Sequence, residues 1–124
     1  MADPRDKRLF RRTPDQFMVS YIVKSPFEVY VQLNGRECDA TAYDISEGGL
    51  ALATNYDIPM KAVIVLRFTL FTPAGLRKFQ IESEVRYAEP VPSDRSFRLG
   101  VRFTSLTPAD RAAIVEYVRS QGKA

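Results

Sequence analysis

Two short clusters hold the residues of this 124-residue sequence whose types and spacing suit chemistry. The first is Arg8-Leu9-Phe10-Arg11-Arg12. Arginine presents a planar fork of donors that grips phosphate oxygens two at a time, and its flat face stacks on bases. The Arg8-x-x-x-Arg12 spacing lets two guanidinium groups converge on one ligand when the arm bends or makes a helical turn. The second cluster is Asp44-Ile45-Ser46-Glu47-Gly48-Gly49. Asp44 can accept two N–H bonds from a guanine edge, and Ser46 can close a turn with its hydroxyl. Gly49 permits either a positive φ or a close backbone approach. Each cluster also has a plainer reading, the first as a solubility tail and the second as an ordinary Asx/Ser turn.

The charge distribution favours an anionic partner. Residues 1–12 hold five basic groups (Arg5, Lys7, Arg8, Arg11, Arg12) and two acidic ones (Asp3, Asp6). The remaining 112 residues carry thirteen of each sign, so the whole excess of +3 lies in the arm. Such asymmetry suits nucleic acid, a phosphate-bearing ligand or a membrane surface. The absence of histidine excludes any Ser-His-Asp or Cys-His nucleophile and any His-ligated metal. No metal site and no catalytic residue is assigned. The lone Cys38 permits no intrachain disulfide and reads as a strand residue. Neither a signal segment nor an apolar run of the roughly 20 residues a membrane span needs is visible. A cytoplasmic protein without a membrane span is therefore expected.

Period-two patterns dominate the chain between the clusters. Strands are expected over 16–23, 27–33, 36–45, 50–54, 62–71, 76–88 and 96–104. Asn34-Gly35 between two of these runs predicts a type I′ hairpin, which needs positive φ at both central residues. Phe79, Ile81, Val85 and Tyr87 are expected inward on their strand, as are Ile64, Leu66, Phe68 and Leu70 on the strand before it. The period then changes. Thr107 reads as an N-cap, Pro108 as the first helical residue, and Ala113, Ile114, Tyr117 and Val118 as one apolar stripe. A helix over 108–120 follows, most simply as a lid on the barrel. One domain is expected over 1–124: a basic arm at 1–13, a mainly β, six- to seven-stranded antiparallel barrel at 16–104, and the C-terminal α-helix.

The clusters in this order are more specific than either alone. An Arg8-x-x-x-Arg12 arm, a strand, and Asp44-x-Ser46-x-x-Gly49 at a strand end together resemble the PilZ family of cyclic di-GMP receptors. Leu99-Gly100-Val101-Arg102-Phe103 and the helix after it are similar to the family as well, so the likeness runs from about residue 7 to residue 120. It implies a PilZ-like split barrel and bacterial second-messenger signalling. It also implies that Arg8 and Arg12 clasp the phosphates and stack on the guanines. Asp44 and Ser46 would read guanine edges and the adjacent backbone, and Gly49 would shape the turn. Lys7, Arg11 and Gly48 are secondary candidates. The segment from Arg12 to Asp44 is longer than the family pattern, and the excess is expected in the hairpin through Ser25-Pro26. A frame shifted by one residue would make Lys7 and Arg11 the working pair.

The ligand expected is cyclic di-GMP, with no cofactor and with an unidentified protein effector downstream. Two other readings stay open. One is a ligand-free PilZ-like adaptor acting through protein contacts. The other is an OB-like barrel binding nucleic acid, against which the neutrality of residues 13–124 argues. An enzyme is not expected, because the carboxylates are scattered.

Overall fold

The computed structural model describes residues 16–122. Six strands form a closed, wholly antiparallel barrel in the order β1-β2-β3-β6-β5-β4. They are β1 (Phe17–Ser25), β2 (Cys38–Ser46), β3 (Gly49–Thr54), β4 (Val63–Thr72), β5 (Gly75–Val91) and β6 (Ser96–Phe103). A short helix α1 (Phe27–Gln32) joins β1 to β2, and α2 (Pro108–Gly122) follows β6.

The alternating patterns act as expected along most of the barrel. Ile64, Leu66, Phe68 and Leu70 of β4 are buried, as are Phe79, Ile81 and Val85 of β5. They meet Tyr21, Ile45, Leu52 and Leu99 in one core. Each fully buried large apolar side chain contributes about 1.5–3 kcal/mol through area removed from water. The Phe68 and Phe79 rings stack at 5.0 Å inside. The polar end of Tyr21 is satisfied by Thr54 Oγ1 at 2.7 Å, and burial pushes its phenol pKa well above the usual value. Cys38 is buried at the start of β2, and burial raises its thiol pKa.

Residues 27–33 are not a strand. β1 pairs with β2 over Phe17–Tyr21 and with β4 over Val19–Ser25, and α1 packs against β1 instead of adding a seventh strand to its end. The segment must satisfy its backbone groups locally, which one and a half turns of helix achieve. The apolar positions Val29 and Leu33 are four apart, so they share a helical face as readily as a strand face. Leu33 is buried and Val29 packs on the core, while Phe27, Tyr30 and Val31 remain exposed. Asn34 and Gly35 do take positive φ, 59° and 63°, but they end α1 instead of turning a hairpin. The Gly35 N–H bonds back to the Tyr30 carbonyl at 3.0 Å, as at a glycine-terminated helix end. The extra length between Arg12 and Asp44 therefore includes a helix.

The C-terminal helix begins where expected. Thr107 Oγ1 accepts the Asp110 N–H at 3.1 Å, and Pro108 is the first helical residue. Ile114 and Tyr117 enter the core, flanked by Ala113 and Val118. Two ion pairs fasten α2 to the barrel: Arg77–Asp110 at 2.8 Å and Arg111–Glu47 at 3.1 Å. Ile114 is fully buried. Ile114→Val is expected to lower unfolding stability by about 1 kcal/mol, read from the urea midpoint. An unchanged midpoint would mean that α2 does not pack as described.

Candidate functional site

The second sequence cluster ends β2, crosses a two-residue turn and starts β3. Ser46 pairs with Gly49, leaving Glu47 and Gly48 at the tip. The Ser46 hydroxyl donates to the Gly49 carbonyl at 3.4 Å and accepts the Gly48 N–H at 3.3 Å. The Gly48 carbonyl in turn accepts the Phe103 N–H at 2.9 Å, which anchors the tip to the end of β6. Gly49 resolves between its two possible roles. It does not sit in the left-handed region, but any Cβ there would overlap the Val101 carbonyl oxygen. Close approach of β3 to β6 is what requires glycine.

Two bulges shape the outer wall above this turn. The β2–β3 register shifts between Ala42 and Asp44, and the β5–β6 register shifts between Val85 and Tyr87. A bulge sets two residues against one and turns the extra side chain. Tyr43 and Asp44 thus lie half-buried next to each other, and Arg86 and Tyr87 are both exposed. Tyr87 is the one misplaced member of the expected inward set of β5; at 44% exposure it faces out. Its ring lies over Gly100, where any side chain would collide with it.

Cross-strand pairing then lays out two rungs. One runs Asp44–Ala51–Gly100–Tyr87 and the other Ser46–Gly49–Arg102–Glu84. Ala51 and Gly100 in the first rung and Gly49 in the second make a floor, and Arg102 stands with the far wall. The result is an open groove of about 300 Å³, bounded by Asp44 and Ser46 on one side and by Arg86, Tyr87 and Arg102 on the other. At its edge Arg98 lies over the Tyr43 ring at 5.8 Å. Burial and the neighbouring Tyr87 phenol push the Tyr43 pKa up to about 12, so it stays a neutral hydrogen-bonding group at neutral pH.

Glu84 organises the far wall. Its Oε1 accepts from Arg86 at 2.9 Å and from Arg102 at 3.4 Å. The Arg86 hydrogen bond, followed by that from Arg102, holds its carboxyl below the usual range. A depressed carboxylate contributes fully above its unfolded pKa and loses that contribution as pH falls through the folded value. Carboxyl-detected titration is expected to place Glu84 below 4.5 and to move it upward in Arg86→Gln. The same titration curve in both proteins would show that the pair does not form.

Of the expected site residues, Asp44, Ser46, Gly48 and Gly49 come together on this groove. Arg8, Arg12, Lys7 and Arg11 lie outside the described residues. Arg86, Tyr87, Ala51, Gly100 and Arg102 were not assigned from sequence. Gly100 and Ala51 carried a signal, since small residues inside strands mark close approach. The bulge that exposes Tyr87 left none. Among the described residues no group of three metal-ligating side chains occurs, and no helix is long and apolar enough to cross a membrane.

A closed six-strand barrel, a helix packed on its core and a lateral groove at an Asp-x-Ser-x-x-Gly strand end define a small β-barrel module of one particular kind. The chain belongs to the PilZ domain family, whose model matches residues 6–120. Among curated proteins none matches the sequence. Solved structures do match. The Bacillus subtilis inhibitor of motility MotI/DgrA superposes with a TM-score of 0.70 at 20% identity, covering 93% of this chain and 51% of that one. MrkH of K. pneumonia in its apo state gives 0.65 at 21%, covering 98% and 53%. The PilZ domain of Escherichia coli YcgR with c-di-GMP gives 0.63 at 12%, covering 94% and 92%. At these identities the likeness is one of fold. The chain spans about half the length of the MotI/DgrA and MrkH chains.

Proposed function

We propose that this chain is a cyclic di-GMP receptor domain that binds the dinucleotide in the lateral groove and relays its presence to a protein effector. The observation that carries the reading is the groove itself. It unites Asp44, Ser46 and Gly49 with a glycine- and alanine-lined floor and an arginine-rich far wall, on a chain of the PilZ family. The YcgR PilZ domain of the same fold was solved with c-di-GMP. In this reading Asp44 accepts N–H bonds from a guanine edge, and the Ser46 turn presents its backbone to the same base. Arg8 and Arg12 clasp the phosphates and stack on the guanines, with Lys7, Arg11 and Gly48 in support.

The connection to the arm is short. The chain enters β1 with Phe17 opposite Ala42, on the strand that carries Asp44. Arg12 stands five residues before Phe17. Ordering such a segment costs roughly 1–2 kcal/mol per residue in backbone entropy. Each arginine–phosphate contact returns about 1.5–3 kcal/mol. Arm docking and ligand binding should therefore be one event, and the docked arm would form the surface an effector reads.

Calorimetry with cyclic di-GMP on wild type, Arg12→Ala and Asp44→Ala tests the assignment. Binding is expected for wild type and strongly weakened in both variants. Equal binding by all three would refute the site. No binding by wild type would leave the ligand-free adaptor reading. Hydrogen exchange of residues 5–13 should slow on saturation, and unchanged exchange would sink arm docking.

A further inference from the structure

We propose that Arg86 and Arg102 are a second anion grip of the groove, taking a phosphate of the ligand, and that Glu84 fills this grip until the ligand arrives. The inference deepens the cyclic di-GMP reading and rests on it for the identity of the physiological anion. Its warrant is the far wall itself.

Arg102 stands on the rung that starts at Ser46, and Arg86 is the extra residue of the β5 bulge. Both line the groove with Asp44. Both side chains are 58% exposed, so their heads reach solvent. Yet both converge on one carboxylate oxygen, Glu84 Oε1. Two guanidinium groups repel each other, and here a single negative charge gathers them. That leaves the trio with an uncompensated positive charge.

The arrangement suits exchange. A phosphodiester carries one negative charge, as Glu84 does, and offers two unbridged oxygens where Glu84 offers one to both arginines. Arginine forks match such oxygens in pairs. Replacing Glu84 by phosphate therefore keeps the same charge balance at the arginines and adds an acceptor. Glu84 at 27% exposure lies beside solvent, so its carboxylate can be hydrated on release instead of being stranded. Glu84 is thus a built-in competitor: it keeps the two heads together and lowers affinity for every anion entering this side of the groove.

The test uses the full chain as wild type, Glu84→Gln and Arg102→Gln. Calorimetry with cyclic di-GMP is paired with NMR of the arginine Nε–Hε resonances during titration with inorganic pyrophosphate. Glu84→Gln is expected to bind cyclic di-GMP about two- to fivefold more tightly, the effect of removing one exposed competing charge. Arg102→Gln is expected to bind it at least about tenfold more weakly. Pyrophosphate should shift Arg86 and Arg102 in wild type, and at lower concentration in Glu84→Gln. A gain of affinity cannot arise from misfolding, so Glu84→Gln decides even where Arg102→Gln is unstable. Equal cyclic di-GMP affinity in wild type and Glu84→Gln overturns the inference and leaves the receptor reading intact. A wild type that ignores cyclic di-GMP overturns the receptor reading. In that case pyrophosphate shifts at the two arginines uphold the grip, and their absence removes it.

Discussion

Gly49→Ala should destabilise the barrel by about 3 kcal/mol and erase the groove with it. The added Cβ would overlap the Val101 carbonyl oxygen and lie 3.0 Å from the Val101 carbonyl carbon and 3.1 Å from Arg102 Cα. All three are backbone atoms of β6, so no rotamer change relieves the clash. The β3–β6 ladder itself must open, and it pairs Gly49–Arg102 through Thr54–Phe97. Opening it moves the Ser46 turn and Arg102 apart, which stand on either side of Gly49 in one rung. Two companions set the scale. At Gly100 the three atoms nearest an added Cβ all belong to the Tyr87 ring, which is exposed and can swing away, so Gly100→Ala should cost less stability while unseating Tyr87. Gly48→Ala meets nothing within 4 Å and lies outside the left-handed region, so its effect should stay within about 0.5 kcal/mol. Urea midpoints of the three variants give the order directly. A Gly49→Ala protein as stable as Gly48→Ala would mean that β3 and β6 are not this close.

The same three glycines show what the sequence could and could not reveal. Gly49 was legible as a special position because it sits in a chemically suggestive motif at a strand end. Which of its two properties mattered depended on β6, fifty residues away, and no local pattern holds that. The strands β4 and β6 were legible because their alternation is long and one face is wholly apolar. The helix α2 was legible because Thr107-Pro108 and the Ala113, Ile114, Tyr117, Val118 stripe agree with one another. Residues 27–33 failed for a definite reason. Phe27, Val29, Val31 and Leu33 satisfy period two, while Val29 and Leu33 also satisfy a helical i, i+4 contact. Packing decided between them: the six strands close the barrel without this segment, and its helix buries Leu33 and packs Val29 on the core. Tyr87 failed for another reason: a bulge at Arg86 reverses the face of the next residue, and nothing in Glu84-Val85-Arg86-Tyr87 announces it. One wall of the groove could thus be read from a motif, whereas the other exists only through register.

The double variant Arg8→Ala/Arg12→Ala is expected to weaken cyclic di-GMP binding by at least a factor of about 100, while Lys7→Ala/Arg11→Ala should weaken it by less than about 10. Each charge-assisted contact is worth about 1.5–3 kcal/mol, or roughly 10- to 150-fold in Kd. Reach does not limit the arm. Five residues span at most about 17 Å when extended. The near wall is well inside that span, since Phe17 lies one strand spacing of about 4.8 Å from Ala42, two residues before Asp44 on β2. Register is the real question, and it is binary. Residues 8 and 12 share a face whether the arm is extended or helical, since a separation of four fits both periods. Residues 7 and 11 share a face by the same rule, but a neighbouring one. Only one pair can look into the groove at a time. Both double variants remove two positive charges from the arm, so long-range attraction falls equally in each and cancels from the comparison. The difference that remains reports direct contact. A stronger loss in Lys7→Ala/Arg11→Ala would shift the frame by one residue and leave Asp44 and Ser46 in their roles. Equal losses that vanish in high salt would reduce the arm to a diffuse attractor, and the groove alone would then have to carry the specificity.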